Sequence, residues 1–141
     1  MFQFFPIFAY AIEQISSEEI LIGNLKSLND VDLSDGKSVS VYKIVENQEI
    51  KDQGFESQYR LKIDFDYGMM IFSTISESDC NEMASEILET MSPGIDIHLT
   101  YNGTSYSIYI NKIKDEIVFK PEINSWVETL VFTGFTIHKE E

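Results

Sequence analysis

Basic side chains are scarce in this sequence. Ten lysines and arginines stand against 24 aspartates and glutamates in 141 residues, a formal net charge of −14. Proteins that grip nucleic acid displace counterions with clustered lysine and arginine. Here those residues are scattered, and none lies between Ile63 and Asn111. Specific nucleic-acid binding is therefore not expected, and anionic membranes are disfavoured on the same ground. Cysteine is limited to Cys80, which excludes an intrachain disulfide framework and a cysteine zinc site within one subunit. A lone cysteine also fits an intracellular setting. Long apolar runs are missing: the opening Met1–Ile12 falls short of the roughly 18 residues that cross a bilayer. No basic residue precedes that run and no small-residue cleavage site follows it, so a signal peptide is not expected. The G-x-S-x-G, Walker A and G-x-G-x-x-G motifs and the EF-hand spacing are all absent. Catalysis, a cofactor and a bound metal are accordingly not expected.

Apolar and aromatic residues are plentiful, at 43% and 13%, which excludes general disorder. The length suits a single folded unit, with or without an appended arm. Residues 1–37 read as an N-terminal helix or arm followed by a loop, and residues 38–141 as an α+β domain. In the first part, Phe2, Phe4, Phe5, Ile7, Phe8, Tyr10, Ala11, Ile12 and Ile15 nearly encircle a helix. Such a helix must be covered on more than one side. Two readings stay open: a helix in the chain's own core, or an arm that docks into a neighbouring subunit through Phe2, Phe4, Phe5 and Phe8.

The rest alternates strands with one helix. A short strand is expected around Ile20 to Leu25, and turn formers cluster from Asn29 to Lys37. Residues 38–45 are β-branched and aromatic and predict a strand; the polar stretch 46–57 predicts a loop. Residues 57–67 alternate strictly, with Tyr59, Leu61, Ile63, Phe65 and Tyr67 on one face and Arg60, Lys62, Asp64 and Asp66 on the other. Ser76 and Asp79 predict a helix N-terminus, followed by the apolar stripe Cys80, Met83, Ala84, Ile87, Leu88 and Met91, and Ser92-Pro93-Gly94 predicts its stop. Cys80 thereby reads as a small core side chain. Asn102-Gly103 predicts a type I′ hairpin in which Leu99 faces Tyr106, Ile97 faces Ile108 and Ile95 faces Ile110. A short strand at 117–119 and a long one at 126–138 close the chain. Both faces of the last are partly apolar, so it needs cover on both, the second cover being available from another subunit. Trp126, Leu130 and Phe132 on it are interface candidates. The fold class is α+β: a mainly antiparallel sheet with one helix packed on it and an N-terminal apolar helix or arm.

Two constellations bear on function. The base-free segment carries Asp64, Asp66, Glu77, Asp79, Glu82, Glu86, Glu89 and Asp96. It reads as a solvated acidic surface, as the lining of a passage that DNA crosses without sticking, or as a mimic of DNA. Separately, Asp64, Asp66, Asp96 and His98 all fall on outward strand faces. They would suit a divalent metal if their strands were neighbours; the plainer reading is an acidic solvated face. His138 sits near the end of the chain and reads as exposed.

The order of elements over residues 38–138 resembles the tail terminator and tail-completion proteins of tailed phages and the tube terminators of contractile injection systems. The likeness rests on the strand YRLKIDFDY, the capped helix SESDCNEMASEILETM, the hairpin IDIHLTYNGTSYSIYI and the closing strand SWVETLVFTGFTIH. The segment VSVYKIVENQEIKD is similar to the early strand and polar loop of the injection-system members. The phenylalanine-rich N-terminus departs from that pattern. The resemblance implies a virion structural protein of the tail or neck, assembled in the host cytoplasm, without catalysis or cofactor. It implies a homo-oligomeric ring, usually a hexamer, that caps the tail tube and contacts tube and neck or connector proteins. Asp64, Asp66, Glu82, Glu86, Glu89 and Asp96 would then line the DNA passage or the outer surface. A competing reading is a small acidic inhibitor or DNA-mimic module of the phage anti-defence type.

Overall fold

A computed structural model describes residues 4–15, 20–22, 37–52 and 59–140 of the chain. Helix α1 (Phe5–Ile15) is followed by β1 (Ile20–Ile22), β2 (Lys37–Asp52) and β3 (Tyr59–Ser73). Helix α2 (Glu77–Leu88) leads to β4 (Asp96–Tyr101), β5 (Thr104–Lys120), a single 3₁₀ turn (Pro121–Ile123) and β6 (Ser125–Glu140). One six-stranded sheet takes the order β1-β2-β3-β6-β5-β4. Its five long-range pairings are antiparallel except for the short edge strand β1, which lies parallel to β2. The fold is α+β with a mainly antiparallel sheet.

Local signals account for the turns and for α2. Ser76 caps α2 by accepting from the Asp79 backbone N–H at 3.2 Å, and Cys80, Met83, Ala84 and Ile87 face the sheet. Asn102 and Gly103 take φ of 50° and 81°, both positive as a type I′ turn requires. The hairpin register pairs Leu99 with Tyr106 and Ile97 with Ile108. Ile95 does not extend it to Ile110; it lies before β4 and is exposed.

The strands are longer than their composition suggests. β2 runs on through the polar stretch to Asp52, because every residue from Glu46 to Asp52 finds a partner on β3. The expected loop is thus a strand over 46–52, and its remaining tip lies outside the described residues. Likewise β5 is continuous from Thr104 to Lys120, where a break before a separate strand at 117–119 was expected. Its second half is held by β6, through a turn that places Asn124 at a left-handed φ of 49°. Most of the turn-rich 29–37 segment also lies outside the described residues.

Both helices cover the same face of the sheet. Phe4, Ile7, Phe8, Ala11 and Ile12 share one core with Val39, Val41, Ile63, Phe65, Tyr67, Met69, Ile71, Leu130 and Phe132, and with the apolar stripe of α2. The boundary at residue 37 therefore does not separate two cores. The opposite face carries no helix among the described residues. It is buried at one end, at Phe72 and Val127, half-buried at Thr129, Val131, Thr133 and Phe135, and exposed at Asp64 and Ile137.

A crease crosses the sheet. β2 is irregular between Lys43 and Val45, β5 between Ile110 and Lys112, and the two meet on the row Glu46–Phe65–Gly134–Ile110. Gly134 sits in the crease because a Cβ there would lie 2.2 Å from the Tyr109 carbonyl oxygen.

Candidate functional site

The sheet order decides the fate of the proposed metal face. Asp64 and Asp96 do lie on the same face and even on the same row, Asp64–Phe135–Tyr109–Asp96. Two strands stand between them, however, a separation of about 14 Å at the usual strand spacing. The gap is filled by Tyr109 and Phe135, stacked with ring centroids 4.9 Å apart. Asp64 instead pairs with Lys62 at 3.7 Å, whose ammonium also lies 5.0 Å from the Phe135 ring centre. Asp66 accepts from the Thr133 hydroxyl at 2.5 Å, and His98 Nδ1 contacts the Ser107 hydroxyl at 2.9 Å. No group of three potential ligands converges to hold a metal among the described residues. His138 has a described backbone only.

The acidic residues of α2 behave differently. The i, i+4, i+7 spacing places Glu82, Glu86 and Glu89 on its outer side, where with Ser78, Asn81 and Ser85 they line a shallow groove. Glu82 and Glu89 are exposed and Glu86 is half-buried; Asp96 is exposed at the start of β4. This stretch of the chain contributes no lysine or arginine of its own, and the field of its exposed carboxylates reaches about 8–10 Å at ordinary salt.

The interface candidates divide. Phe4, Phe8, Leu130 and Phe132 are fully buried in the chain's own core and offer nothing to a neighbour. Phe4 and Phe8 pack on Phe65 and Tyr67, with Phe8 also edge-on to Phe132 at 5.5 Å. The reading of this segment as a docking arm is thus corrected for these side chains: the apolar circumference is used up between the sheet and α2. Phe5 is half-buried, edge-on to Tyr67 at 5.2 Å. Trp126 is half-buried and packs edge-on against Phe119, itself 43% exposed. Phe2 lies outside the described residues.

One polar nest escaped the sequence reading. Glu128 stands on the helix-covered face of β6, in register between Ile71 and Ile117, and is 2% exposed. Its Oε1 has no hydrogen-bond partner. Burial, then a hydrogen bond and repulsion from Asp115 and repulsion from Glu77, push its carboxyl up to about 8. Cys80 lies alongside, its thiol directed at the carbonyls of Ile71 and Trp126 at 3.5 and 3.6 Å and pushed up to about 11 by burial and by Glu128. A signal was present: in the every-second-residue series Trp126, Glu128, Leu130, Phe132, one charged residue interrupts a core-facing row. A second buried pair joins Tyr67, whose hydroxyl donates to Glu46 at 2.7 Å and whose ionisation is driven far upward by burial.

No helix among the described residues is long and apolar enough to cross a membrane. No protein-family model matches the chain, and no curated protein matches its sequence.

Proposed function

We propose that this chain is a structural assembly subunit of the tail-terminator kind. It caps a tail tube as a ring, not as a catalyst but as a joint to the head or neck, and turns an acidic surface toward the passage of DNA. The observation that carries the reading is the outer side of α2. Glu82, Glu86 and Glu89 form one continuous negative strip on a segment with no lysine or arginine from Ile63 to Asn111. A surface of that sign lets a polyanion slide past without being trapped. The element order over 38–138, the basis of the resemblance, supports the reading: an amphipathic strand, a hairpin and a long closing strand lie in one sheet, with the capped helix packed on it. Closed rings join different patches on the two sides of each subunit. Trp126 with Phe119, at one end of the sheet, supplies an accessible aromatic patch of the kind such contacts use.

The test is the native mass by light scattering coupled to size exclusion, at several concentrations, with and without the cognate tube protein. A discrete mass near that of a hexamer of 16.2 kDa subunits is expected, alone or on the tube. A 16.2 kDa monomer under every condition, tube protein included, would overturn the reading. Competition with DNA for a basic partner would then favour the acidic inhibitor.

A further inference from the structure

Strand β5 leaves the second half of its outward edge open. β4 pairs with it only from Thr104 to Tyr109, where Asp96 begins β4. From Ile110 to Lys120, β5 pairs with β6 on one side, and among the described residues no strand lies on the other. That edge is bare: Asn111, Lys112, Lys114, Asp115 and Glu116 are exposed, and Ile113, Ile117 and Val118 are half-buried. A row of unpaired backbone N–H and C=O groups is a template for a further strand. We propose that the strand it takes is β5 of a second copy of this chain, paired antiparallel about a twofold axis at Asp115. The proposal is independent of the assembly reading, since it rests on neither the outer side of α2 nor the Trp126–Phe119 patch.

The choice of partner follows from the edge itself. Residues 113–117 read Ile-Lys-Asp-Glu-Ile, the same from either end with the charge inverted about Asp115. Ile113, Asp115 and Ile117 lie on the helix-covered face, opposite Phe132, Leu130 and Glu128 of β6. Lys112, Lys114, Glu116 and Val118 lie on the helix-free face, opposite Thr133, Val131, Thr129 and Val127. Antiparallel pairing about Asp115 sets Ile113 of one copy against Ile117 of the other, and Lys114 against Glu116, each contact occurring twice. Neighbouring registers match worse. A centre at Lys114 sets that lysine against its own copy and Ile113 against Asp115. A centre at Glu116 sets that glutamate against its own copy, Lys112 against Lys120 and Ile117 against Asp115. Space agrees with sequence: β4 occupies the edge up to Tyr109 and the chain turns away at Pro121, so the open run from Ile110 to Lys120 has its middle at Asp115. One pairing is adverse, Asp115 against its own copy, and it weakens the contact without setting a different register.

Cys80 is the chain's only cysteine and is fully buried, so an introduced cysteine reports alone. Residues opposite each other in an antiparallel pair have Cα atoms about 4.5–5.5 Å apart, within reach of a disulfide. The experiment oxidises the full chain with diamide and reads the product on a non-reducing gel. Asp115→Cys is expected to give a two-chain product, and Lys112→Cys, also at an exposed position, at least about tenfold less. Lys112→Cys combined with Val118→Cys keeps Asp115. It should cross-link two chains where neither single variant does, because about 20 Å of strand separates the two positions within one chain. Lys114→Glu added to Asp115→Cys should slow the cross-link at least about tenfold, and Glu116→Lys added to both should restore it. The heterologous contacts of a ring set each residue against a different one, so the self-contact at Asp115 reads the same whether or not rings form. Equal product from Asp115→Cys and Lys112→Cys, or a slowing that Glu116→Lys fails to reverse, would overturn the pairing.

Discussion

At the scale of single residues, the sheet distinguishes two glycines that look alike in sequence. A Cβ at Gly134 would meet backbone, the Tyr109 carbonyl, at 2.2 Å, while one at Gly68 would meet the outer ring atoms of Tyr42 at the same distance. Backbone in a paired strand cannot retreat, but a tyrosine ring can turn away. Gly134→Ala is therefore expected to cost about 2–3 kcal/mol and Gly68→Ala distinctly less, measured by urea unfolding. Tyr67→Phe removes the donor to Glu46 and should cost about 1 kcal/mol, measured in the same way. Glu128 shows how far residue chemistry was legible beforehand. Its position in a core-facing series was visible, yet charge on a strand reads as solvent-facing until the covering helix is placed. Asp115 and Glu77 come from two other elements, and nothing in a linear pattern brings them to Glu128.

At the scale of elements, the helix and the tight hairpin were legible because their causes are local. The Ser76 cap, the stripe from Cys80 to Met91 and the Asn102-Gly103 turn each act within a few residues. Ser76→Ala should lower stability by about 1 kcal/mol in a thermal melt. The polar half of β2 was not legible, since what makes it a strand is its partner: Tyr67 reaches Glu46, and β3 supplies the ladder. The same dependence on tertiary cover explains α1. An all-round apolar segment fits a core or a neighbour equally well, and only the placement of Phe4 and Phe8 against Phe65, Tyr67 and Phe132 decides it. Removing residues 1–8 is thus expected to unfold the chain, seen as loss of the cooperative melt, and not merely to disperse an assembly. The outer side of α2 makes the opposite prediction. Reversing Glu82 and Glu89 to lysine should leave the melt within about 1 kcal/mol, because both side chains are exposed. Fluorescence anisotropy should then show salt-dependent DNA binding that the native protein lacks.

At the scale of the whole molecule, the metal face that the strand pattern left open as a lesser alternative does not assemble, for a topological reason. Strand faces were assigned correctly, but the closing strand inserts beside β3 and pushes the β4–β5 hairpin outward, so Asp64 and Asp96 share a row without meeting. That insertion has a kinetic consequence. β2 with β3, and β4 with β5 and β6, are each built from consecutive strands, whereas β3 and β6 join residues as distant as Tyr59 and Glu140. The chain is two locally closed pieces sewn together along one seam. Closing that seam joins strands separated along the chain by α2, β4 and β5, a non-local closure whose entropy is lost before its contacts reward it, which places folding in the slow, millisecond-to-second class of non-local β topologies. Until the seam closes, each piece presents a long unpaired strand edge, Tyr59–Ser73 on one and Ser125–Glu140 on the other. These edges are matched in register to each other and equally to those of a second chain, so concentrated refolding should yield exchanged dimers before it yields aggregates.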